Sequence, residues 1–570
     1  MYRDISECYE HFAKAPRLAL DLETSGLSPY KDNIAVVAVA DSVGHVLVQH
    51  VWADGWPEAL EMLLNRQDVE WITHNGFGFD WLFLKNAGFP WPPISYDTLV
   101  GEQVLIYQDR HNIRRDLGTT MKRRLGREIK KEMDHSGWTR NYLNDEQVKY
   151  AAYDVAYLTD LADAQLQVAR ERNMMKALEF EQLVAIIASK VMWNGMSLPL
   201  SILHDKRDQL SKETSLATMR VSAMFPGMNL NSSRQVREGV LAKLGLELPN
   251  AQKETLMEFQ EFHPVMADII AVKAAAKRTG FYDDAWAEKY VIDDRLHGHF
   301  WPLGANTGRF TSSNPNLQQI PRNMRGIIGN EPGKVVVAAD YAQIEVRLMA
   351  FYAKDGELIK ACEDDIHANM ARVMFSVPAD KPVPTELRSP LGKYGTFTWI
   401  FGGSHKGIIN AARKGGTQLP EKTARDMKKQ LDRRFWKTRT THNAARRMVD
   451  KGSLILELPL GHKRQFLPGT ASHTKWLNTL CQGSAAIGFK EALIEMDAAG
   501  LVDYLGGLVH DEFVATGIPA NQGEEYAREM EECMITGMKA MMNDVKSRYP
   551  KSTYLDVPIQ VESKINEAWS

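Results

Sequence analysis

Three apolar runs in this 570-residue chain end directly in carboxylates, and this feature restricts the fold more than any other. RLALDLE ends at residue 23, KVVVAAD at residue 340 and GLVHDE at residue 512. Short apolar runs of this kind are typical of buried strands. Neighbouring carboxylates at the end of such a strand are costly unless a cation neutralises them. The sequence therefore predicts two separate carboxylate sites, one near each end of the chain.

Composition excludes several classes of protein. The chain has 44% hydrophobic and 25% charged residues, which is ordinary for a globular protein and excludes a disordered or fibrous one. Because it has no run of 18 apolar residues and no apolar core in its charged N-terminus, we expect no membrane partner and a cytoplasmic location. The four cysteines include no CxxC pair, which argues against a zinc ribbon or a disulfide framework. The net charge of −3 neither favours nor excludes nucleic acid.

The pattern of elements changes along the chain. Up to about residue 165, apolar runs alternate with helical patterns, which is typical of an α/β domain. Residues 175–290 show long helical patterns, and a strand pattern returns at 334–343. A helix-rich, basic stretch then leads to a second strand pair near residues 504–518. We predict an α/β module followed by an α+β module that helices interrupt.

The first carboxylate site lies in the α/β module. Asp21 and Glu23 are two residues apart and leave the same face of the predicted strand. Asp80 ends the run HNGFGFD, and the spacing of Tyr150 and Asp154 places both on one helix face. Each acid alone is more simply a solvated strand end or helix face. Together, four carboxylates and a phenol are what two divalent metals and an attacking water require.

The second carboxylate site lies in the α+β module. Asp340 ends an apolar strand, and the apolar runs around residues 510–512 predict a hairpin with acids at its tip. Asp340 and Asp511 could bind two Mg²⁺ for in-line phosphoryl transfer. Between them, Lys393, Phe397 and Phe401 recur every fourth residue, which places a cation and two rings on one helix face. Such a stripe suits phosphate and a stacked base, although packing in a core with an exposed lysine end is the simpler interpretation.

Residues 1–165 resemble the proofreading 3′–5′ exonuclease domain of the DEDD superfamily, in the version with tyrosine in the third motif. The resemblance implies an RNase H-like α/β fold and an active nuclease. It assigns the metal-binding acids to Asp21 and Glu23 of the first motif, Asp80 of the second and Asp154 of the third. It also assigns a substrate contact to Asn75 and a catalytic role to Tyr150.

Residues 166–570 resemble family A DNA polymerases, the relatives of bacterial DNA polymerase I. The matching motifs are MWNGMSL (192–198), NLNSSRQV (229–236), TGRFTSSNPNLQQIPR (307–322), DYAQIEVR (340–347), NTLCQGSAA (478–486) and VHDE (509–512), together with the Lys393 stripe. The resemblance implies an α+β right-hand fold. It places the thumb at about residues 175–290, the fingers at about 351–450, and the palm at about 291–350 and 451–570.

The resemblance also implies roles for individual residues of this half. Asp340 and Asp511 would hold the catalytic metals, with Glu512 as an auxiliary acid. Lys393 and His367 would bind the incoming triphosphate, beside the rings of Phe397 and Phe401. Glu345 would be the steric gate against a ribose 2′-OH, with Gln343 ordering the corner beside it. The residues expected to contact the primer–template are Arg309, Asn478, Gln482 and His510.

Several positions depart from the family pattern: Thr474 stands where a DNA-contacting arginine is often found, and two further departures lie at the fingers helix. Phe401 stands where the family usually has tyrosine. The arginine usual four residues before the fingers lysine is absent, since Ser389 occupies that position and Arg388 lies one residue earlier. Ser389 is a good N-cap and Pro390 suits a first helical turn, so we predict that the helix starts at residue 390. Arg388 would then lie in extended backbone, from which we expect it to reach the triphosphate together with Lys393.

The resemblance implies two Mg²⁺ ions per active site, with Mn²⁺ as a substitute, and primer–template DNA and dNTPs as partners. Because no 5′-nuclease segment precedes the exonuclease motifs, we expect a replicative enzyme of the phage type. The segment between Asp154 and Thr307 is too short for a thioredoxin-binding insertion. We expect a monomer that is open to replisome partners.

Two other functions are compatible with parts of the sequence. A 3′–5′ nuclease with a non-catalytic, nucleic-acid-binding C-terminal half would require the loss of Asp340 or Asp511, and both are present. A non-enzymatic binding scaffold would retain the acids and cations without using them. A primer-extension assay with Mg²⁺, with and without dNTPs, distinguishes the three functions by extension, by shortening or by neither.

Overall fold

The computed structural model of the protein describes residues 1–106, 113–128, 137–279, 284–414 and 417–570. Among the helices of these residues, none combines the length and the apolar character needed to cross a membrane.

A five-stranded sheet organises the N-terminal half. Its strands are β1 (Arg17–Thr24), β2 (Ile34–Asp41), β3 (Val46–Gln49), β4 (Glu70–Thr73) and β5 (Ile94–Asp97). The strand order is β3-β2-β1-β4-β5, with β1 antiparallel to β2 and parallel to β4. Every residue of β2 is buried, as expected for a strand covered by helices on both faces. The sheet therefore places the acid-bearing end of β1 near its centre.

Helices cover this sheet and bring the third acidic motif to it. They are α1 (Tyr9–Phe12), α2 (Val51–Asp54), α3 (Glu58–Leu64), α4 (Asp80–Asn86), α5 (Thr98–Leu105), α6 (Leu117–Leu125), α7 (Asp145–Ala156) and α8 (Leu158–Glu171). Helix α7 begins with a capping box in which Asn144 and Gln147 satisfy each other's backbone N–H groups. It packs against β1 and β2, so its inner face meets the acids of β1.

One long buried helix, α9 (Met175–Asn194), connects the two halves of the chain. It is followed by β6 (Met196–Ser197), α10 (Leu200–Met224), α11 (Ser233–Leu244), α12 (Lys253–Glu258), α13 (Val265–Thr279), α14 (Asp284–Tyr290), β7 (Val291–Ile292) and β8 (Arg295–Leu296). Helices α10 to α13 surround a separate apolar cluster that includes Val236, Leu256 and Ile269. This helical unit occupies the segment in which the sequence predicts a thumb.

A four-stranded antiparallel sheet forms the centre of the C-terminal half. The strands of this half are β9 (His299–Trp301), β10 (Thr311–Ser313), β11 (Lys334–Tyr341), β12 (Ile455–Glu457), β13 (Lys463–Gln465), β14 (Leu505–Val509), β15 (Glu512–Pro519) and β16 (Val561–Asn566). The central sheet has the order β14-β15-β11-β16. In its register, Asp340 of β11 lies opposite Glu512 on one side and Glu562 on the other. Strand pairing therefore gathers three carboxylates at one end of the sheet.

Helices pack around this central sheet. Those between its strands are α15 (Ile344–Ala353), α16 (Gly356–Ala361), α17 (Ile366–Phe375), α18 (Lys393–Ile400), α19 (His405–Lys414), α20 (Glu421–Arg434), α21 (Trp436–Asp450), α22 (His473–Ala498) and α23 (Gly523–Arg548). The backbone before α18 is interrupted at Ser389, whose φ and ψ are −140° and 128°. The prediction put Arg388 in extended backbone, but the extended residue is Ser389. The reason is that a proline restricts the residue directly before it.

A buried group of three charged or titratable side chains joins α9 to the C-terminal half. Glu181 of α9 accepts hydrogen bonds at 2.6 and 2.8 Å from Lys490 of α22, and its Oε1 lies 2.9 Å from Nε2 of His462. Glu181 and Lys490 are 0% and 1% exposed. Burial raises the pKa of Glu181, but Lys490 and His462 outweigh that effect and hold the pKa below its ordinary value. Glu181 is therefore ionised and paired.

We predict that Glu181→Ala strongly destabilises the protein, because it leaves the Lys490 ammonium buried without its carboxylate. Breaking one partner of a buried pair typically costs about 3–5 kcal/mol. Thermal unfolding should show a melting temperature several degrees below that of the wild type. Glu179→Ala is the matched control, since Glu179 is an exposed residue of the same helix. Equal melting temperatures for the two variants would contradict a stabilising role for the buried group.

Candidate active sites

The acids of the first predicted site come together in the structure. Asp21 and Glu23 project from β1 and Asp154 from α7, and ligand oxygens of the three lie within 4.8 Å of one another. Tyr150 precedes Asp154 by one turn of α7. Burial, followed by the charge of Asp154, raises the pKa of the Tyr150 phenol, which therefore keeps its proton at neutral pH. The result is a compact three-carboxylate cluster beside a neutral phenol.

Asp80 lies next to this cluster but is not one of its three members. It is the first residue of α4, is 3% exposed, and its Oδ1 accepts a 2.9 Å hydrogen bond from the backbone N–H of Leu22. Burial, and to a lesser extent the charges of Asp97 and Asp154, raise the pKa of Asp80 to about 7. A proton on Asp80 thus limits the negative charge at the site.

A cavity of about 670 Å³ opens beside the three-carboxylate cluster. Asp21, Asn75 and Asp154 line it, as the sequence predicts. Trp301 and Thr311 line it as well, and both belong to the β9–β10 hairpin of the C-terminal half. No sequence pattern placed these two residues at the exonuclease cavity, although Thr311 belongs to the motif at 307–322, since their position depends on how the two halves of the chain pack together.

The second predicted site is a cavity of about 430 Å³ at the end of the four-stranded sheet. Nine residues singled out from the sequence line it: Arg309, Asp340, Gln343, Glu345, His367, Lys393, Phe397, His510 and Asp511. Glu562 lines it too and was missed by the sequence analysis. Its only signal in the sequence is the short strand-like run DVPIQVE (556–562), which does not indicate a partner strand. The pairing of β16 with β11 brings it there.

Arg309 bridges two acids of this cavity. One of its Nη atoms lies 2.9 Å from Oδ2 of Asp511 and 3.1 Å from Oε1 of Glu345. Asp340 lines the same cavity and is exposed to it, and desolvation and then the negative charge of Asp511 raise its pKa to about 7. The guanidinium therefore compensates part of the charge that the sheet brings together.

Glu345 occupies a well-defined corner beside Asp340. It lies in the first turn of α15, and its Oε1 also accepts a 2.9 Å hydrogen bond from Nε2 of Gln482 on α22. The turn that leads from β11 into α15 uses a left-handed backbone at Gln343, with φ of 46°. Burial raises the pKa of Glu345. Two donors from separate elements thus hold this carboxylate in place.

Glu512 does not line the cavity, although it lies opposite Asp340 in the sheet. Its Oε2 is 2.9 Å from Nη1 of Arg325, and its Oε1 accepts a 3.0 Å hydrogen bond from Nε1 of Trp569. The Arg325 guanidinium also stacks on the Trp569 indole, 3.9 Å from its centroid. Both oxygens of Glu512 are therefore bound within the protein, and the sequence analysis anticipated neither partner.

Cationic and aromatic side chains form the opposite wall of the cavity. Lys393 and Phe397 project from α18, and the ring of His367 on α17 lies 5.9 Å from that of Phe397. Nδ1 of His367 is buried and has no hydrogen-bond partner among the described residues. Burial, followed by nearby charges that include Lys393, holds the pKa of His367 below its ordinary value. A neutral imidazole here can offer a donor to a ligand in the cavity.

Two residues of the predicted nucleotide grip lie outside this cavity. Arg388 forms a 2.5 Å ion pair with Asp365, which caps α17. Phe401 follows the last residue of α18 and packs half-buried against the main apolar core. Of the three residues that recur every fourth position, Lys393 and Phe397 line the cavity and Phe401 does not, because the helix ends at Ile400.

The residues expected to contact primer–template lie around the rim. Asn478 and Gln482 are one turn apart on α22 and so share a helix face. His510 is exposed at the β14–β15 turn, with a left-handed φ of 59°. Arg309 and His510 line the cavity, and Gln482 reaches it through its hydrogen bond to Glu345.

The donor atoms present are suited to hard divalent cations. Three carboxylates within 4.8 Å of one another match the oxygen ligands that Mg²⁺ prefers. In the described part of the chain, no comparable set of three forms around Asp340. Arg309 binds one oxygen of Asp511, while Arg325 and Trp569 bind both oxygens of Glu512. Asp340 and Asp511 stay the predicted metal ligands of this second site, and Glu345 and Glu562 are further acids of the same cavity.

Comparison with known protein families assigns both halves. The model described as DNA polymerase family A matches residues 201–570, and a 3′–5′ exonuclease model matches residues 2–167. These matches confirm the resemblance found in the sequence. They also confirm the predicted fold class, an N-terminal exonuclease domain followed by a polymerase domain.

Curated relatives and a solved structure agree with this assignment. DNA polymerase I of Aquifex aeolicus is 26% identical over 99% of this chain and 98% of its own length. DNA polymerase I of Chloroflexus aurantiacus is 25% identical over 99% of this chain, which spans 62% of that relative. The POL domain of Pol1 from M. smegmatis, in complex with DNA primer-template and dNTP, superposes with a TM-score of 0.80. It is 22% identical, covering 100% of this chain and 99% of that one, so it supports the fold alone.

The raised pKa of Asp80 leads to a testable dependence of stability on pH. In the folded protein this pKa is about 7, against an ordinary value of 3.8. Between these values the folded state binds the extra proton, so stability falls as pH rises towards 7. We predict that Asp80→Asn, whose amide stays neutral, raises the melting temperature at pH 8 by a few degrees. Below pH 3.8 the variant and the wild type should melt alike, and at pH 5 their difference should be smaller than at pH 8. Thermal melts in EDTA test this, and a pH-independent difference would contradict it.

Proposed function

The chain belongs to DNA polymerase family A and carries a 3′–5′ exonuclease domain, and from this premise we propose what its two sites do. The C-terminal site adds dNTPs to a primer 3′ end under the direction of a template. The N-terminal site removes 3′-terminal nucleotides as a proofreading activity. One observation carries the proposal: Asp340 and Asp511 line the same cavity as Lys393 and His367.

In the polymerase site, the acidic residues would bind the metal and the basic residues the triphosphate. Asp340 and Asp511 would hold Mg²⁺, which supplies neutralisation of charge at the reacting phosphate. Lys393 offers a compact positive charge to the triphosphate, with the unpartnered Nδ1 of His367 beside it. Glu345 fills the space near the sugar. Arg309, Asn478, Gln482 and His510 would contact the primer–template, and Phe397 would stack on the incoming base.

In the exonuclease site, Asp21, Glu23 and Asp154 would hold Mg²⁺, with Asp80 close by. Mn²⁺ is a plausible substitute, because it accepts the same oxygen ligands. Tyr150 keeps its phenolic proton, and its hydroxyl would orient the attacking water. Asn75 would contact the 3′-terminal nucleotide in the 670 Å³ cavity. A strand end that has left the duplex would be the substrate, as the proposed proofreading activity requires.

Whether the enzyme has a phage-type or a bacterial-type role is a separate question from its two activities. The sequence analysis expected a replicative enzyme of the phage type, whereas the relatives described above are bacterial DNA polymerases I. Their names therefore favour a bacterial-type enzyme, and the phage-type role stays a prediction.

The alternative function is that of a nuclease with a non-catalytic C-terminal half. It is disfavoured because the polymerase acids, the lysine and the histidine meet in one cavity.

Separate variants should remove the two activities independently, because each site has its own acids. We predict that Asp21→Ala combined with Glu23→Ala abolishes primer shortening and leaves extension largely intact. Asp340→Asn should do the reverse. A labelled primer–template incubated with Mg²⁺, with and without dNTPs, measures both activities. Equal loss of both activities in either variant would refute two separate sites.

The position of Glu345 predicts its effect on sugar selection. Glu345→Ala opens the corner between Arg309 and Gln482, so ribonucleotides should be incorporated at least tenfold more readily relative to deoxyribonucleotides, a change of about 1.4 kcal/mol. The overall rate should fall as well. Glu345→Gln is the matched control, since it keeps the bulk and should keep most of the selectivity. Single-nucleotide incorporation kinetics with rNTP and dNTP measure the ratio. An unchanged ratio in Glu345→Ala would assign the gate to another residue.

A further inference from the structure

Asp97 is a buried carboxylate that the proposed exonuclease mechanism does not use. It ends β5, is 3% exposed and caps α5, where its Oδ1 accepts hydrogen bonds from the N–H groups of Leu99 and Val100 at 2.9 and 3.2 Å. Capping a helix needs only one short acceptor. The carboxylate accepts further hydrogen bonds that do not contribute to this cap.

Those contacts bind the loop that carries the second exonuclease motif. Oδ1 of Asp97 also accepts the N–H of Asn75 at 3.1 Å, and Oδ2 accepts the N–H of Phe77 at 3.3 Å. Asn75 adopts a left-handed backbone with φ of 72°, which asparagine tolerates better than most residues. Asp80 follows directly as the first residue of α4. One carboxylate thus sets the path of the chain from Asn75 to Asp80.

Side chains of helix α9 hydrogen-bond to the backbone of both Asp97 and the loop. The side-chain amide of Gln182 pairs with the backbone of Asp97, accepting from its N–H at 2.7 Å and donating to its carbonyl at 2.9 Å. The hydroxyl of Ser189, two turns further along α9, donates to the carbonyl of Phe77 at 2.6 Å. The strand end and the loop are therefore both bonded to one helix.

We propose that Asp97 is a positioning residue of the exonuclease: it aims Asn75 and Asp80 at the 3′-terminal nucleotide by binding the N–H groups of Asn75 and Phe77. This inference rests on the proposed exonuclease function and adds to it a residue that does not itself touch the substrate. Its two duties, capping α5 and binding the loop, involve different hydrogen bonds, so substitutions can separate them.

Two variants make this separation. Asp97→Ser keeps a capping oxygen for α5, but its shorter side chain cannot reach Asn75 and Phe77. Asp97→Asn keeps Oδ1, and with it the cap and the bond to Asn75, and loses the Oδ2 acceptor, which binds the N–H of Phe77 and, at 3.4 Å, the hydroxyl of Thr73. Because small misplacements of binding groups cost about 100-fold in rate, we expect kcat for shortening a single-stranded oligonucleotide to fall about 100-fold in Asp97→Ser. In Asp97→Asn we expect a fall of about tenfold or less, on the same principle.

The same chain supplies the controls. KM for the oligonucleotide should change less than kcat, and primer extension and melting temperature should stay close to those of the wild type in both variants. Asp41→Ser is the matched control. Asp41 is an equally buried carboxylate of the same sheet that accepts backbone N–H groups from Val43 and His45. It should leave shortening unchanged.

Each other outcome overturns the proposal in a recognisable way. Normal kcat in Asp97→Ser would reduce Asp97 to a helix cap. A rise in KM with normal kcat would make it a binding residue. A loss of extension and of thermal stability in parallel with shortening, or an equal loss in Asp41→Ser, would make its role structural only. If the wild-type chain itself shortened no oligonucleotide, the proposed exonuclease function would fail and this inference with it.

Discussion

Carboxylates at the ends of apolar strands repel one another, and both sites of this chain have to compensate for that repulsion. Three acids lie within 4.8 Å of one another at the end of β1, and the sheet around β11 sets Asp340 between Glu512 and Glu562. Like charges this close destabilise the folded chain. At the second site, guanidinium groups offset part of this negative charge. At both sites, raised pKa values of Asp80 and Asp340 favour the neutral form of the carboxyl group. The remaining charge is of the kind that divalent cations neutralise.

Arginines take a large part in this compensation at the polymerase site. Arg309 binds Asp511 on the hairpin and Glu345 on α15, so a single side chain fixes the relative position of two elements. Arg325 and Trp569 do the same for Glu512. Planar guanidinium groups suit this task, because they offer several donors in a fixed geometry. The acids are consequently held in defined positions by neighbours in the protein itself.

Helix α9 connects the two sites through adjacent residues. Glu181 binds Lys490 of α22, the helix that carries Gln482, whereas Gln182 binds the backbone of Asp97 beside the exonuclease loop. Consecutive helical residues point about 100° apart, which allows one helix to bond to both halves. The β9–β10 hairpin adds a second connection, since Trp301 lines the exonuclease cavity. The N-terminal site is thus completed by residues outside the N-terminal domain.

The sequence by itself determined what depends on local periodicity. Side chains repeat every 2 residues in strands and every 3.6 residues in helices. These periods predict that Asp21 and Glu23 share one strand face. They also predict that Tyr150 and Asp154, and likewise Lys393 and Phe397, share one helix face. Phe401 directly follows the last residue of α18, and its predicted place in the nucleotide site stays a prediction. Tertiary structure alone decided the positions of Glu562, Trp569, Trp301 and Asp97. Each of these reaches its site through strand pairing or through packing of segments far apart in the chain, and neither is encoded in the local pattern of apolar and polar residues.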